Sequence, residues 1–172
     1  MREDCRFESC RPHISIRGVK LSSHRIATSV KAGESPVLSS KSKGDVLKIY
    51  LAGPIFQSTD EEAKDWREYV KEYLTQDKCF DPMDRDYRGK EDESVEDIVR
   101  GDKDDIMFSD VVLANVSKPS SGTAMEIYFA WDWNIPVIAV VKGRVSPWIR
   151  YHSTYVVETV EEALEKIEEF RK

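Results

Sequence analysis

Glu126 stands four residues after Gly122 in the run Ser120-Ser121-Gly122-Thr123-Ala124-Met125-Glu126, and a carboxylate at that spacing suits sugar chemistry. The preceding Asp110-Val111-Val112-Leu113-Ala114-Asn115-Val116 is short, β-branched and apolar, which predicts a strand buried on both faces. Ser117 to Thr123 reads as a loop by its Ser, Pro and Gly content. Ala124 to Trp133 has helical spacing, with Met125, Phe129 and Trp133 on one side and Ile127 and Ala130 close by. A strand, a small-residue loop and a helix in that order build an anion site. The first N–H groups of the helix lack intrahelical partners, and Gly122 admits a ligand closely. One helical turn, about 6 Å, then separates Gly122 from Glu126 on one face. A cradle there could hold the 5′ end of a pentose while Glu126 faces its anomeric carbon. The same Glu, read as a first-turn residue, also suits the helix macrodipole without any catalysis.

Other elements must place this unit. Val46 to Ala52 is expected to be a first strand, ended by Gly53-Pro54. Thr59 and Glu62 form a capping box for a helix over about 60–75, whose Ala63, Trp66, Val70, Tyr73 and Leu74 form a core stripe. Lys78 to Phe80 is a second strand, and 81–89 is a polar loop suited either to ligand contacts or to solvent. Ser94 starts a helix to about Phe108. Ile135 to Val141 is a strand, Gly143 to His152 a loop, and Tyr155 to Val157 a last strand. Thr159 and Glu162 cap a final helix with Val160, Ala163, Leu164, Ile167 and Phe170 inward. This alternation predicts an α/β fold, a single doubly wound Rossmann-like domain with a mainly parallel five-stranded sheet. Ligands bind such sheets beyond the carboxyl ends of the strands. That rim would carry Gly53–Phe56, the 81–89 loop, Pro119–Gly122 and Gly143–His152.

The domain is expected over 46–172. Residues 1–45 hold nine Ser and nine Lys/Arg against five Asp/Glu with no periodicity, as in a disordered N-terminal extension. Glu3, Asp4 and Glu8 argue against a transit peptide. Residues 46–172 carry 17 Lys/Arg against 27 Asp/Glu, and the whole chain a net −6, which argues against nucleic acid as a partner. No apolar run approaches membrane-spanning length. Cys5, Cys10 and Cys79 form no metal spacing and are odd in number, which points to a reducing, cytoplasmic setting. GxxxxGK[ST], GxGxxG after the first strand and GxSxG are absent, and His13, His24 and His152 do not cluster. No cofactor or metal is expected, so the chemistry falls to carboxylates.

Three segments together carry a family resemblance. Ile49-Tyr50-Leu51-Ala52-Gly53-Pro54-Ile55-Phe56, Asp102-x-x-x-Ile106-x-x-Ser109-Asp110 and Ser120-x-Gly122-Thr123-x-x-Glu126 resemble the nucleoside 2-deoxyribosyltransferase family, which includes nucleoside 5′-monophosphate N-glycosidases. The resemblance spans about residues 46–170. It implies that Glu126 is the nucleophile forming a glycosyl-enzyme, that Tyr50 orients its carboxylate, and that Asp102 helps protonate the leaving base. Without the resemblance, Tyr50 is an ordinary strand aromatic and Asp102, beside Asp104 and Asp105, a solvated helix charge. Gly53, Phe56, Ser120 and Gly122 fall on substrate-binding positions.

Nucleoside-acting transferases carry Asp where this chain has Ser120, whereas monophosphate-hydrolysing members are similar to it. Those members also take a serine from the neighbouring subunit, in a segment resembling Gly143-Arg144-Val145-Ser146, which implies a homodimer with Ser146 reaching across. Phe56 stands where one monophosphate-acting type has a phosphate-binding Arg, leaving Arg67, Arg85, Arg88, Arg144 and Arg150 as possible counter-charges. Tyr50 resembles the residue of deoxy-acting relatives. The resemblance thus implies hydrolysis of a (2′-deoxy)nucleoside 5′-monophosphate. The alternatives are base exchange between deoxynucleosides and, outside enzymes, a nucleotide-binding sensor module.

Overall fold

The computed structural model describes residues 46–171, so the extension expected over 1–45 lies outside the described residues. Strands β1 (Lys48–Ala52), β2 (Lys78–Phe80), β3 (Val111–Asn115), β4 (Val137–Val140) and β5 (Tyr155–Val157) form one parallel sheet. Its order is β2-β1-β3-β4-β5. The helices are α1 (Trp66–Tyr73), α2 (Val95–Met107), α3 (Ser121–Asp132), α4 (Pro147–Tyr151) and α5 (Val160–Glu168). This is the doubly wound α/β architecture that the alternating pattern predicts.

Both faces of the sheet are covered, which is why its central strands are continuously apolar. Ile49, Leu51, Leu113 and Ile138 pack one way, onto Val70 and Leu74 beside α1 and onto Ala163, Leu164 and Ile167 of α5. Tyr50, Ala52, Val112 and Ala139 face the other way, onto Ile106 of α2, Ile127 and Ala130 of α3, and Ile149 of α4. In register across β1, β3 and β4, Ala52, Ala114 and Ala139 form a row of small side chains on the α3 side. That row lets α3 lie close to the sheet.

From β1 the chain turns outward to β2 and then crosses back to β3 on the other side of β1. The switch opens a crevice beyond the carboxyl ends of β1 and β3, where ligands bind in such sheets. Helix α2 makes the crossing, and α3 follows β3 directly.

The first capping box forms in full, and the second in half, because the Glu162 carboxylate accepts from Glu158 N rather than Thr159 N. Thr59 and Glu62 exchange bonds of 3.0 and 3.2 Å, and Thr159 Oγ1 accepts from Glu162 N at 3.2 Å. The first helix opens with a π-turn over Glu61–Asp65. Three expectations are corrected. Tyr73 is 57% exposed, and Arg67 takes the buried place on α1 instead. Helix α3 begins at Ser121 rather than Ala124, because Ser120 caps it and its small first-turn residues are helical. Within the expected 143–152 loop, Pro147–Tyr151 forms a short helix capped by Ser146, with proline at its favoured first position. Cys79 is half-buried on β2, and burial pushes its thiol up to about 11, as for an inert packing residue. No helix among the described residues is long and apolar enough to cross a membrane.

Candidate active site

The end of β1 supplies one wall of the crevice. Tyr50 has no exposed surface, and its hydroxyl donates to Glu126 Oε1 at 2.7 Å. Past the strand, Gly53 is held against α1 so closely that a Cβ there would lie 2.7 Å from the Trp66 ring. Only glycine fits that approach. Arg67, fully buried, donates to the carbonyls of Leu51 at 3.3 Å, of Gly53 at 3.0 Å and of Ala63. Its Nε also lies 3.3 Å from Asp81 Oδ1. A buried charge needs such complete pairing, and the result fixes the Gly53–Phe56 turn.

The opposite wall is the start of α3. Asn115 Oδ1 accepts from Ser117 N at 3.0 Å and turns the chain out of β3. Ser120, extended in backbone, accepts from Thr123 N at 3.3 Å. As an acceptor in that cap, its hydroxyl still has its own proton to donate. No acidic residue occupies the first turn of α3, and a Cβ on Gly122 would meet only Ser120 Oγ, at 3.9 Å. Small groups and helix-start N–H donors therefore face the crevice. Glu126 follows on the second turn. Its Oε2 is buried without a hydrogen-bond partner among the described residues, as is Thr123 Oγ1 one turn earlier.

Helix α2 and the turn after β2 close the pocket. Asp102 lines it together with Ile98, and Arg85, Asp86, Tyr87, Arg88 and Glu91 complete that side. Arg85 Nη2 lies 3.2 Å from Asp102 Oδ1, and Nη1 lies 2.6 Å from Asp105 Oδ2. Arg88 holds Asp86 at 2.6 Å and reaches Asp60 at 2.5 Å. Each pocket arginine thus meets two carboxylates.

The electrostatics separate three groups. Burial, reinforced by Asp102, pushes Glu126 up to about 7, against the Tyr50 hydrogen bond and the charge of Arg67. Burial also raises Asp102, opposed by Arg85 and by the adjacent Tyr50 hydroxyl. Tyr50 is raised well above its ordinary value by burial and by Glu126, so it stays a donor. A carboxylate poised near neutrality beside a second carboxyl and a fixed phenol can act as nucleophile with an acid at hand.

The sequence pattern of nucleoside 2-deoxyribosyltransferases matches residues 49–163. The chain belongs to that family. It is therefore an enzyme of N-glycosidic bonds, an N-glycosidase or a related pentosyltransferase. No curated protein matches it in sequence. Solved structures share its fold. A conserved protein from Enterococcus faecalis V583 is 20% identical over 73% of this chain and 99% of its own, with a TM-score of 0.58. A 2-deoxyribosyltransferase from Bacillus psychrosaccharolyticus is 20% identical over 67% of this chain and 88% of its own, TM-score 0.56. The CMP N-glycosidase BcmB from Clostridium botulinum is 19% identical over 71% and 98%, TM-score 0.51.

In this deoxyribosyltransferase-family domain, Gly53, Phe56, Asp102, Ser120, Gly122 and Glu126 line one pocket, with Tyr50 beneath Glu126. Ser146 does not line it; the residue is exposed and accepts from Trp148 N at 3.3 Å. The 143–152 segment expected on the rim likewise stays off this pocket, because α4 packs Ile149 onto the sheet face instead. Glu126 is not in the first turn of α3, so a macrodipole role does not explain it. Among the arginines, Arg67 is spent on carbonyls and Asp81, and Arg144 and Arg150 are exposed away from the pocket. Thr123 and the Arg85–Asp102 pair escaped sequence reasoning. The position of Arg67 between Ala63 and Val70 on the buried stripe was a readable signal, masked by its charge.

Proposed function

We propose that the enzyme hydrolyses the N-glycosidic bond of a (2′-deoxy)nucleoside 5′-monophosphate. One observation carries this reading: Glu126 offers a buried Oε2 with no hydrogen-bond partner among the described residues, while Tyr50 fixes Oε1, next to a helix start free of acidic residues. The 5′-phosphate would rest on the Ser120–Gly122 turn, taking hydrogen bonds from the Ser120 hydroxyl and the first amides of α3. Glu126 would then lie below C1′. Its ionised Oε2 attacks C1′, the C1′–N bond breaks through an oxocarbenium-like state, and the leaving base takes a proton from Asp102. Water next attacks C1′, the ester to Glu126 breaks, and the water proton returns to Asp102. Base and sugar 5-phosphate leave.

The protein acts in this reading as a homodimer in the cytoplasm, with Ser146 of one subunit completing the phosphate site of the other. The exposed position of Ser146 at the head of α4 supports that role, since the hydroxyl is accessible and its loop stays outside its own pocket.

One observation favours base exchange between nucleosides as a second reading. The pocket wall holds Asp86, Glu91, Asp102 and Glu126 against Arg85 and Arg88, and an uncharged substrate meets less repulsion there. Chromatography of products from a panel of nucleosides and their monophosphates separates the readings. Hydrolysis predicts free base from a monophosphate with no second base present. Base release from nucleosides alone, and only when a second base is supplied, would overturn it.

A further inference from the structure

Gly101 lies in the middle of α2, where glycine is a poor helix former. Its place is explained by what crosses it. A Cβ on Gly101 would lie 3.0 Å from Arg85 Nε, 3.1 Å from Cζ and 3.2 Å from Nη2. The helix has a notch there, and the Arg85 guanidinium is seated in it. From that seat the guanidinium spans two carboxylates of α2 three residues apart, reaching Asp102 Oδ1 at 3.2 Å and Asp105 Oδ2 at 2.6 Å. A planar fork can bridge two such acceptors, whereas an ammonium would favour one.

We propose that Arg85 is a positioning residue for Asp102, fixing its carboxyl so that Oδ2 is presented to the leaving base, and that Gly101 provides the seat this requires. The inference rests on the reading of Asp102 as the acid that protonates the base. The groups facing Asp102 are Tyr50 from β1, Arg67 from α1, Glu126 from α3, Asp105 from its own helix and Arg85 from the turn after β2. Of the two cations, Arg85 alone holds Asp102 by a hydrogen bond. Loss of Arg85 therefore has two consequences. The carboxyl loses its orientation, which slows the chemical step more than binding. It also loses a cation while keeping Asp105 nearby, so it holds its proton to higher pH.

The test compares Arg85→Met, Arg85→Lys, Gly101→Ala and Asp102→Asn in full-length protein, on whichever monophosphate or nucleoside the wild type cleaves. Expected for Arg85→Met is a kcat lower by about 10- to 100-fold with KM changed by less than about threefold. The basic limb of its pH profile should move upward by about one pH unit. Arg85→Lys should keep the limb near the wild-type position with partial kcat. Gly101→Ala should lower kcat while melting at or above the wild-type temperature, because alanine favours the helix as it crowds the seat, displacing the guanidinium by a few tenths of an ångström. This variant tests the idea even if Arg85→Met fails to fold. A wild-type kcat in Gly101→Ala, or an unmoved basic limb in a folded Arg85→Met, overturns the proposal. If Asp102→Asn is inactive while both Arg85→Met and Gly101→Ala are unimpaired, only the role of Arg85 falls. If Asp102→Asn turns over normally, the acid role of Asp102 falls and the positioning role with it.

Discussion

Tyr50 and Glu126, 76 residues apart in sequence, meet through a 2.7 Å hydrogen bond from a phenol with no exposed surface. The bond does two things. It aims the carboxylate, and it favours the ionised form against burial. Tyr50→Phe should remove both effects with little loss of volume. We expect kcat to fall by roughly 10- to 100-fold and the acidic limb of the pH profile to move upward. Steady-state kinetics from pH 5 to 9 check this; an unmoved limb would show that the phenol does not set the ionisation of Glu126.

The free enzyme should gain activity as Glu126 ionises. With that group at about 7, kcat/KM is expected to rise about tenfold per pH unit below 7, up to the basic limb that deprotonation of Asp102 sets. A profile already flat at pH 5 would place the nucleophile elsewhere.

Glu126→Gln should abolish turnover, by roughly three orders of magnitude or more, while still binding substrate. Its stability carries a separate signature. Folded Glu126 protonates at about 7 against an ordinary 4.5, so the native state holds the extra proton between those values. The stability from the protonated carboxyl is complete below about 4.5 and lost as pH rises through 7. Glutamine cannot ionise. The variant should therefore gain on wild type from pH 5 to pH 8, by on the order of 2–3 kcal/mol at most. Urea titrations at the two pH values measure it, and a constant difference would contradict the buried carboxylate.

Much of this fold was legible because its strands are buried on both faces and read as plain apolar runs, as in Ile49–Ala52 and Val111–Ala114. The Thr59/Glu62 and Thr159/Glu162 pairs marked helix starts because each threonine caps its helix through bonds local in sequence. What failed depended on tertiary packing. Ser121-Gly122-Thr123 reads as loop by composition, yet the Ser120 cap draws it into α3. Arg67 reads as a surface charge, yet the carbonyls at the end of β1 bury it while Tyr73 turns outward. The meeting of Tyr50 and Asp102 with Glu126 followed from family resemblance; no spacing in the chain encodes it.

Arg67→Met should be among the most destabilising single changes at this site. It keeps the length of the side chain but leaves the carbonyls of Leu51 and Gly53 without this donor, and Asp81 with only Lys71, at 2.7 Å, as ion-pair partner among the described residues. The expected loss is about 3–5 kcal/mol, as when one member of a buried pair is removed. Thermal melts of the two proteins check this. A loss below about 1 kcal/mol would mean the turn after β1 holds itself.

Ser120→Asp tests the substrate class directly. Aspartate caps a helix as well as serine does, so the Thr123 N bond and the fold should survive. What changes is the pocket. Ser120 can donate to an anion, while an aspartate there brings a negative charge into hydrogen-bonding range of a 5′-phosphate dianion, in partly dehydrated surroundings. Cleavage of the monophosphate should fall by roughly a hundredfold or more, a few kcal/mol of transition-state binding. Cleavage of the matching nucleoside should fall far less, because its 5′-hydroxyl can donate to the new carboxylate. Paired kcat/KM values on the two substrates measure the difference. Equal losses would remove the phosphate from the Ser120 turn and favour base exchange between nucleosides. A nucleoside activity that rises in the variant would weigh more heavily in the same direction, since the substitution would then have supplied the hydrogen-bond acceptor that the 5′-hydroxyl lacks in the wild type.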